Sequence, residues 1–252
     1  MTTRTRTFCF IASFLILMVM FSSAVSAYVL LSPARRWFST PKAITVDNGG
    51  VASVTGIDGG VAEATAASNW WNGGGVNPVN AAAGNVVYAL GDNRSDIIFD
   101  DPLNICGGNC LAATTTGYYN TGQTGVCTHS NGSTRSVVAI TDSDVAFNLA
   151  YNYTTPNEPD GCASEIFLDT VTSHEVGHVI GLGHSNTSSA IMYASVAYCS
   201  RKVVGSDDLA GRDELYNCTS FPGGGGGCQP KNAVCSSNGQ CCSNKCRGGR
   251  CR

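Results

Sequence analysis

The chain has 252 residues, 43% of them hydrophobic and 13% charged, with 13 cysteines, 30 glycines and a net charge of -3. That apolar share supplies a core and excludes wholesale disorder, and a slightly acidic, sparsely charged chain speaks against a nucleic-acid partner. The charge is segregated, +2 over residues 1–27, -10 over 28–227 and +5 over 228–252, which predicts three segments with different roles.

Residues 1–27 are read as a secretory signal peptide. Arg4 and Arg6 precede an apolar stretch over 8–21, and Val25-Ser26-Ala27 offers a small-residue exit. About 14 apolar residues are too few to span a bilayer comfortably. Export makes disulfides the expected state of the cysteines. Without Cys9 twelve remain: Cys106, Cys110, Cys127, Cys162, Cys199 and Cys218 in the large segment, and six more in the tail. Six cysteines allow 15 pairings, so the bridges of the large segment stay open. Asn-x-Ser/Thr sequons stand at Asn93, Asn131, Asn152, Asn186 and Asn217.

Along 28–219, short β-rich runs are expected at 42–47, 85–90, 96–99 and 136–141. The Ala-rich stretch 61–71 reads as a helix between two glycine clusters. Strands mixed with a few helices predict an α+β domain. Of Trp70 and Trp71, at least one is expected in the core rather than on a carbohydrate platform.

The most informative stretch is His174-Glu175-Val176-Gly177-His178-Val179-Ile180-Gly181-Leu182-Gly183-His184-Ser185. On a helix, residues four apart share a face, so His174 and His178 can present two imidazoles to one metal ion. Val176, Val179 and Ile180 fall on another side, suited to a core. Gly181 stands where the helix should stop, since glycine readily adopts a left-handed helix end. The chain then turns, and His184 arrives as a third ligand. Three imidazoles leave a fourth zinc position open for water, the catalytic pattern. Glu175 is placed to take that water's proton rather than to bind metal. The alternative, ordinary surface histidines on a helix, must accept three of only four histidines within eleven residues.

His-Glu-x-x-His-x-x-Gly-x-x-His resembles the signature of the metzincin metallopeptidases. Met192, in Ser189-Ala190-Ile191-Met192-Tyr193, stands where that clan has a methionine turn beneath the zinc. Ser185 after the third histidine is similar to the matrixins. Ala194 occupies the place of the extra tyrosine ligand of astacin- and serralysin-type members. Trp37 with Pro41 and Ile44-Thr45-Val46 resembles the matrixin opening strand, and Ser95-Asp96-Ile97-Ile98-Phe99 its aspartate-containing strand. Asp207-Asp208-Leu209-Ala210-Gly211 with Leu215-Tyr216 resembles its closing helix. The resemblance covers about 37–217. It implies a metzincin-like domain, a twisted mixed sheet plus an active-site helix, acting as a zinc endopeptidase on protein or peptide substrates. His174, His178 and His184 would be ligands of one catalytic Zn2+, Glu175 the general base, and Met192 the floor beneath the metal. Calcium stays open as a further cofactor, since acidic runs such as Asp100-Asp101 and Asp207-Asp208 are too common to mark its sites.

Two departures are visible. Animal matrixins commonly hold a second, structural zinc through three histidines and an aspartate, and here only His129 is left over. Disulfides are expected to take over its cross-linking. Between Ala27 and Trp37 there are nine residues and no cysteine, so latency through a zinc-bound propeptide cysteine is not expected. Arg35-Arg36 reads as a basic pair rather than a processing site.

Residues 220–227, with five consecutive glycines, read as a tether. In 228–252 the pattern Cys228-x6-Cys235-x5-Cys241-Cys242-x3-Cys246-x4-Cys251 resembles inhibitor cystine knots. That resemblance implies Cys228–Cys242, Cys235–Cys246 and Cys241–Cys251, in a domain too small for a core of its own. A hevein-like chitin-binding module fits the spacing less well. The basic tail suits an anionic surface or glycan. The whole reads as a secreted, extracellular monomer. The rival reading is a binding or toxin-like protein whose tail is the active part, and Glu175 argues against it, since a dead scaffold has no need of a general base. A narrower rival keeps the chemistry within another metzincin subgroup or a cell-wall peptide hydrolase.

Overall fold

The computed structural model describes residues 27–55, 58–117, 123–158, 161–221 and 245–252. Residues 1–26 of the expected signal peptide, 222–227 of the expected tether and most of the cystine-rich tail with its pairing lie outside the described residues. Among the described residues no helix is long and apolar enough to cross a membrane.

The chain opens with β1 (Val29–Leu30), β2 (Arg35–Arg36), β3 (Lys42–Asp47), α1 (Val61–Ser68) and a 3-10 turn over Asn69–Trp71. There follow β4 (Val79–Gly84), β5 (Asp96–Ile98), β6 (Ala112–Gly117), β7 (Thr124–Thr128), β8 (Thr134–Ala139) and β9 (Asp142–Phe147). Then come β10 (Tyr153–Thr154), β11 (Ile166–Phe167), α2 (Leu168–Val179), β12 (Leu182–Gly183) and α3 (Ser206–Tyr216). In the tail, β13 (Cys246–Arg247) and β14 (Arg250–Cys251) form a hairpin, and Cys246 is disulfide-bonded.

The main sheet has the order β4-β3-β5-β9-β6. Its first three pairings are parallel, and β6 joins antiparallel to β9 at the edge. The fold is therefore mixed α+β, as the sequence predicts. In β3 the period of two is plain: Ile44 and Val46 are buried while Ala43 is exposed. α1 and α2 pack on each other and on this sheet, α1 against β3 and β4, α2 against β6 and β9. Between them lie Val61, Ala64, Leu168, Val171, Val176 and Val179, facing Ile44, Val46, Ile97, Val145 and Phe147. Phe99, Phe147 and Tyr153 continue this core edge to face, with ring centres 5.4 and 5.6 Å apart. Trp71 is buried and donates from Nε1 to Ser173 O (2.9 Å), while Trp70 is half-buried.

The 85–90 run is not a strand. The strand there is β4, just before it, which pairs with β3 over its full length from Lys42 to Asp47. Residues 85–90 run past the end of β3, so their β-rich side chains have no backbone to pair with, and Val87 is left 75% exposed. The 136–141 run covers the last four residues of β8 and the two-residue link, Ile140-Thr141, that leads into β9. β6 and β7 were not foreseen: their Ala, Thr and Gly residues carry too little apolar contrast to mark a strand.

Three bridges close the six cysteines of the large segment: Cys106–Cys110, Cys127–Cys218 and Cys162–Cys199. Cys127–Cys218 spans 91 residues, fastening β7 to the chain beyond α3. Beside it Arg36 is buried without a carboxylate partner among the described residues. Its guanidinium stacks on the rings of Tyr216 and Phe221, 4.6 and 4.1 Å from their centres, and donates to Leu215 O. Arg36 is thus part of the core, and Phe221 packs with Phe38 on the folded domain. His129 lies beside Asn217 O and Glu214, apart from the other histidines.

The first half of β9 buries two carboxylates. Asp142 accepts hydrogen bonds from the backbone of Gly91 and Asn93. Asp144 Oδ1 accepts from Asp96 N, but Asp144 Oδ2 and the neighbouring Asp96 Oδ1 have no hydrogen-bond partner. Burial, with the charge of Asp142 next, pushes Asp144 up to about 7, and burial raises Asp96 too. A carboxyl whose pKa is raised by folding contributes stability below its unfolded value near 4 and loses it as pH rises through the folded value. In a chelating buffer the melting temperature is therefore expected to fall between about pH 4 and 7 more steeply than in Asp144→Asn. Parallel pH profiles for the two proteins, measured by calorimetry, would count against this.

Candidate functional site

The site begins on α2, whose polar positions include His174, Glu175 and His178. Val176 and Val179 bury into the core from the same helix, and Ile180 follows at its cap. Gly177 is fixed by packing: a Cβ there would overlap Met192 Sδ and crowd Trp71. The helix ends at Val179, and Gly181 has φ +104°, a conformation that favours glycine. A side chain at Gly181 would also strike the Arg35 carbonyl oxygen. The chain then reverses, β12 pairs with β1, and His184 returns beside α2.

The three imidazoles converge. Their ring centres lie 4.8 to 5.2 Å apart, and His178 Nε2 is 3.2 Å from His184 Nε2. His174 Nδ1 faces Ile191 O at 2.7 Å, and His178 Nδ1 faces Leu182 O at 2.8 Å. Each carbonyl selects the tautomer with the proton on Nδ1, freeing Nε2 as a ligand atom, the usual outer support of a metal-binding histidine. Burial holds His178 and His184 below the ordinary imidazole range, which favours the neutral, ligating form. The donor set fits a metal ion: one nitrogen from each ring lies within 4.8 Å of the others. Cys162, Glu165 and Cys199 also converge, but the two sulfurs are bonded to each other.

Glu175 is buried beside the triad, and its carboxylate accepts a hydrogen bond from Thr114 Oγ1 of β6. His174, Glu175 and His184 face a cleft of about 500 Å3. Leu111 and Ala112 form one side of it, Thr170 and Val171 of α2 another, and Tyr193, Ala194, Val196 and Tyr198 the far wall.

Met192 is buried behind α2, and its turn is held from two directions. Ser185 N donates to Met192 O (2.7 Å). Asp208, fully buried at the start of α3, accepts from Ile191 N, Met192 N and Gly205 N at 2.8 to 3.1 Å. Lys202 extends its ammonium to the carbonyls of Ser188, Ala190 and Ser195 and lies over the Tyr193 ring. Its backbone exchanges hydrogen bonds with Thr170 Oγ1. The sequence reading names no role for Thr114 or Lys202. Both act across tens of residues, and no local spacing marks them.

Residues 112–217 match the peptidase family model described as Matrixin. Metalloendoproteinase 5-MMP of Arabidopsis thaliana is 40% identical over 73 residues, 29% of this chain and 20% of that protein. Metalloendoproteinase 1 of Glycine max is 48% identical over 50 residues, 19% of this chain and 16% of its own length. Karilysin of Tannerella forsythia is 47% identical over 47 residues, 19% of this chain and 10% of that protein. The matched stretches thus span a fifth or less of these curated relatives. The family match and the relatives' names support a zinc metalloendopeptidase.

Replacing Asp208 by Ala strands two buried N–H groups and a half-buried third, at a cost of about 3 kcal/mol. Urea unfolding should register that loss, and a change below about 1 kcal/mol would show that the turn does not depend on this carboxylate.

Proposed function

We propose that the chain is a secreted zinc endopeptidase that hydrolyses peptide bonds of extracellular proteins. The observation that carries this reading is the convergence of three imidazoles beside a buried glutamate at an open cleft. His174, His178 and His184 hold one zinc ion through Nε2, and Met192 packs beneath without binding. Zinc held there supplies Lewis acidity, polarising the scissile carbonyl and bringing a water's pKa toward neutrality. Glu175 takes the proton of that attacking water and delivers it to the departing amine. β6 is an edge strand that contributes to the cleft, so an extended substrate can pair with its backbone.

Residues 1–27 serve as the export signal and 228–252 as a cystine-knot-like module; the catalytic unit expected over 28–219 extends to Phe221, which packs on Phe38 and Arg36, so the tether is 222–227. Its charge of +5 without acids suits an anionic surface or glycan. The enzyme works as a monomer and without nucleic acid. The rival in which the tail is the active part gains nothing from the family match, which falls on residues 112–217.

Purified protein should cleave denatured casein, lose this activity in 1,10-phenanthroline and regain it with zinc. Glu175→Ala should lower turnover by about 10²- to 10⁴-fold. Stoichiometric zinc without cleavage of casein or gelatin would argue for a narrower hydrolase, and absence of both would end the reading.

Calcium enters through Asp96 Oδ1 and Asp144 Oδ2, buried carboxylate oxygens without a partner that a hard cation would satisfy. Millimolar calcium is then expected to raise the melting temperature at pH 7 in the wild type and not in Asp144→Asn. Equal shifts in both would remove calcium from this pair.

A further inference from the structure

The run Thr114-Thr115-Thr116 on β6 is unremarked by the mechanism above, yet its three hydroxyls have different targets. Thr115 Oγ1 donates to Asp144 O, and Thr116 Oγ1 lies against Ser143 Oγ, so both stay within the sheet. Thr114 Oγ1 instead crosses to α2, 2.5 Å from Glu175 Oε2 and 3.2 Å from Glu175 O. A threonine hydroxyl has one hydrogen to give. The shorter, charge-assisted contact to the carboxylate takes it.

From this geometry we infer that Thr114 is a positioning residue for Glu175, an inference that rests on the endopeptidase reading. A glutamate side chain has three rotatable bonds, and a group that takes a proton and returns it must stay in one place while substrate enters. The Thr114 hydroxyl anchors Oε2 and leaves Oε1 for the water. Because Thr114 stands on the strand that borders the cleft, it also fixes the distance between the base and the substrate-bearing edge. Its register opposite Val145 of the central part of the sheet makes that anchor rigid. A displacement of about 1 Å at a reacting group costs about 10²-fold in rate.

The test compares Thr114→Val, which keeps the volume and deletes the hydroxyl, with Thr114→Ser, which keeps the hydroxyl. The probe is an internally quenched peptide copied from a casein fragment that the wild type releases. Thr114→Val is expected to lower kcat about 10- to 100-fold with KM within about twofold, and Thr114→Ser to restore kcat to within about twofold. Zinc content and melting temperature should be unchanged. Thr114→Val combined with Glu175→Gln should be no slower than Glu175→Gln alone, because an anchor without its base has nothing to position. A crystal structure of Thr114→Val should show the Glu175 carboxylate turned from its present place.

Full kcat in Thr114→Val, while Glu175→Gln is inactive, overturns this role and leaves the endopeptidase reading standing. So does a Val effect that multiplies unchanged on the Gln background. A wild type that cleaves nothing takes both down. If Thr114→Val does not fold, Thr114→Ala against Thr114→Ser makes the same comparison, and equal activities overturn the proposal.

Discussion

At Gly181 the backbone takes a positive φ at a spot where the Arg35 carbonyl leaves no room for a side chain. The reversal there ends α2 just after its second imidazole and brings the following residues back along it. Leu182 O then meets His178 Nδ1, and His184 reaches the same point in space from the opposite direction. Further on, the Ser185–Met192 bond folds the chain again, so that Ile191 O meets His174 Nδ1. The rings are oriented by carbonyls of the very segment that the turn releases. A helix continuing by one more turn would lose the third imidazole and both supporting carbonyls together.

The buried acids divide into two kinds, and the difference explains their separate behaviour. Asp208 is surrounded by backbone donors, and Asp169 is paired with Arg201 at 2.6 Å, so each charge is stabilised where it stands. Asp96 and Asp144 are joined by the Asp96 N–Asp144 Oδ1 bond, and although Arg94 lies 3.4 Å from Asp96 Oδ2, each keeps one buried oxygen without a donor. Burying a carboxylate without enough partners favours the protonated form or a bound cation. Satisfied acids hold architecture, and the unsatisfied pair makes the sheet sensitive to its surroundings.

The triad was legible because its geometry is local. Eleven residues contain the helix face, the stop and the return, and each step follows from spacing and from glycine's backbone freedom. β3 was legible for a similar reason, since Ile44 and Val46 alternate with polar neighbours. Residues 85–90, Asn-Val-Val-Tyr-Ala-Leu, are β-rich as well, but a strand also needs a partner, and β3 is already paired with β4 over its full length. Thr114 reaches Glu175 across 61 positions, and Lys202 joins three carbonyls and a helix hydroxyl. Such contacts exist only once the sheet order is set, which no window of sequence contains. The three disulfides belong to the same class, because proximity in the fold chooses among the 15 pairings.

The far wall of the cleft is held almost entirely through main-chain atoms and a cystine. Lys202 binds carbonyls of Ser188, Ala190 and Ser195, Cys199 N donates to Glu165 O, and Cys162–Cys199 closes the segment. Between 193 and 198 the side chains add the Tyr193 ring under Lys202 and Val196, which packs against the core. Ala194 and Tyr198, both exposed, are consequently free to be exchanged without releasing the loop. The frame is fixed by main-chain bonds, a cystine and one core contact, while the exposed side chains of Ala194 and Tyr198 line the cleft without bearing on it. A loop built this way lets the chemistry lining the cleft be rewritten at those two positions at little cost to the folded state.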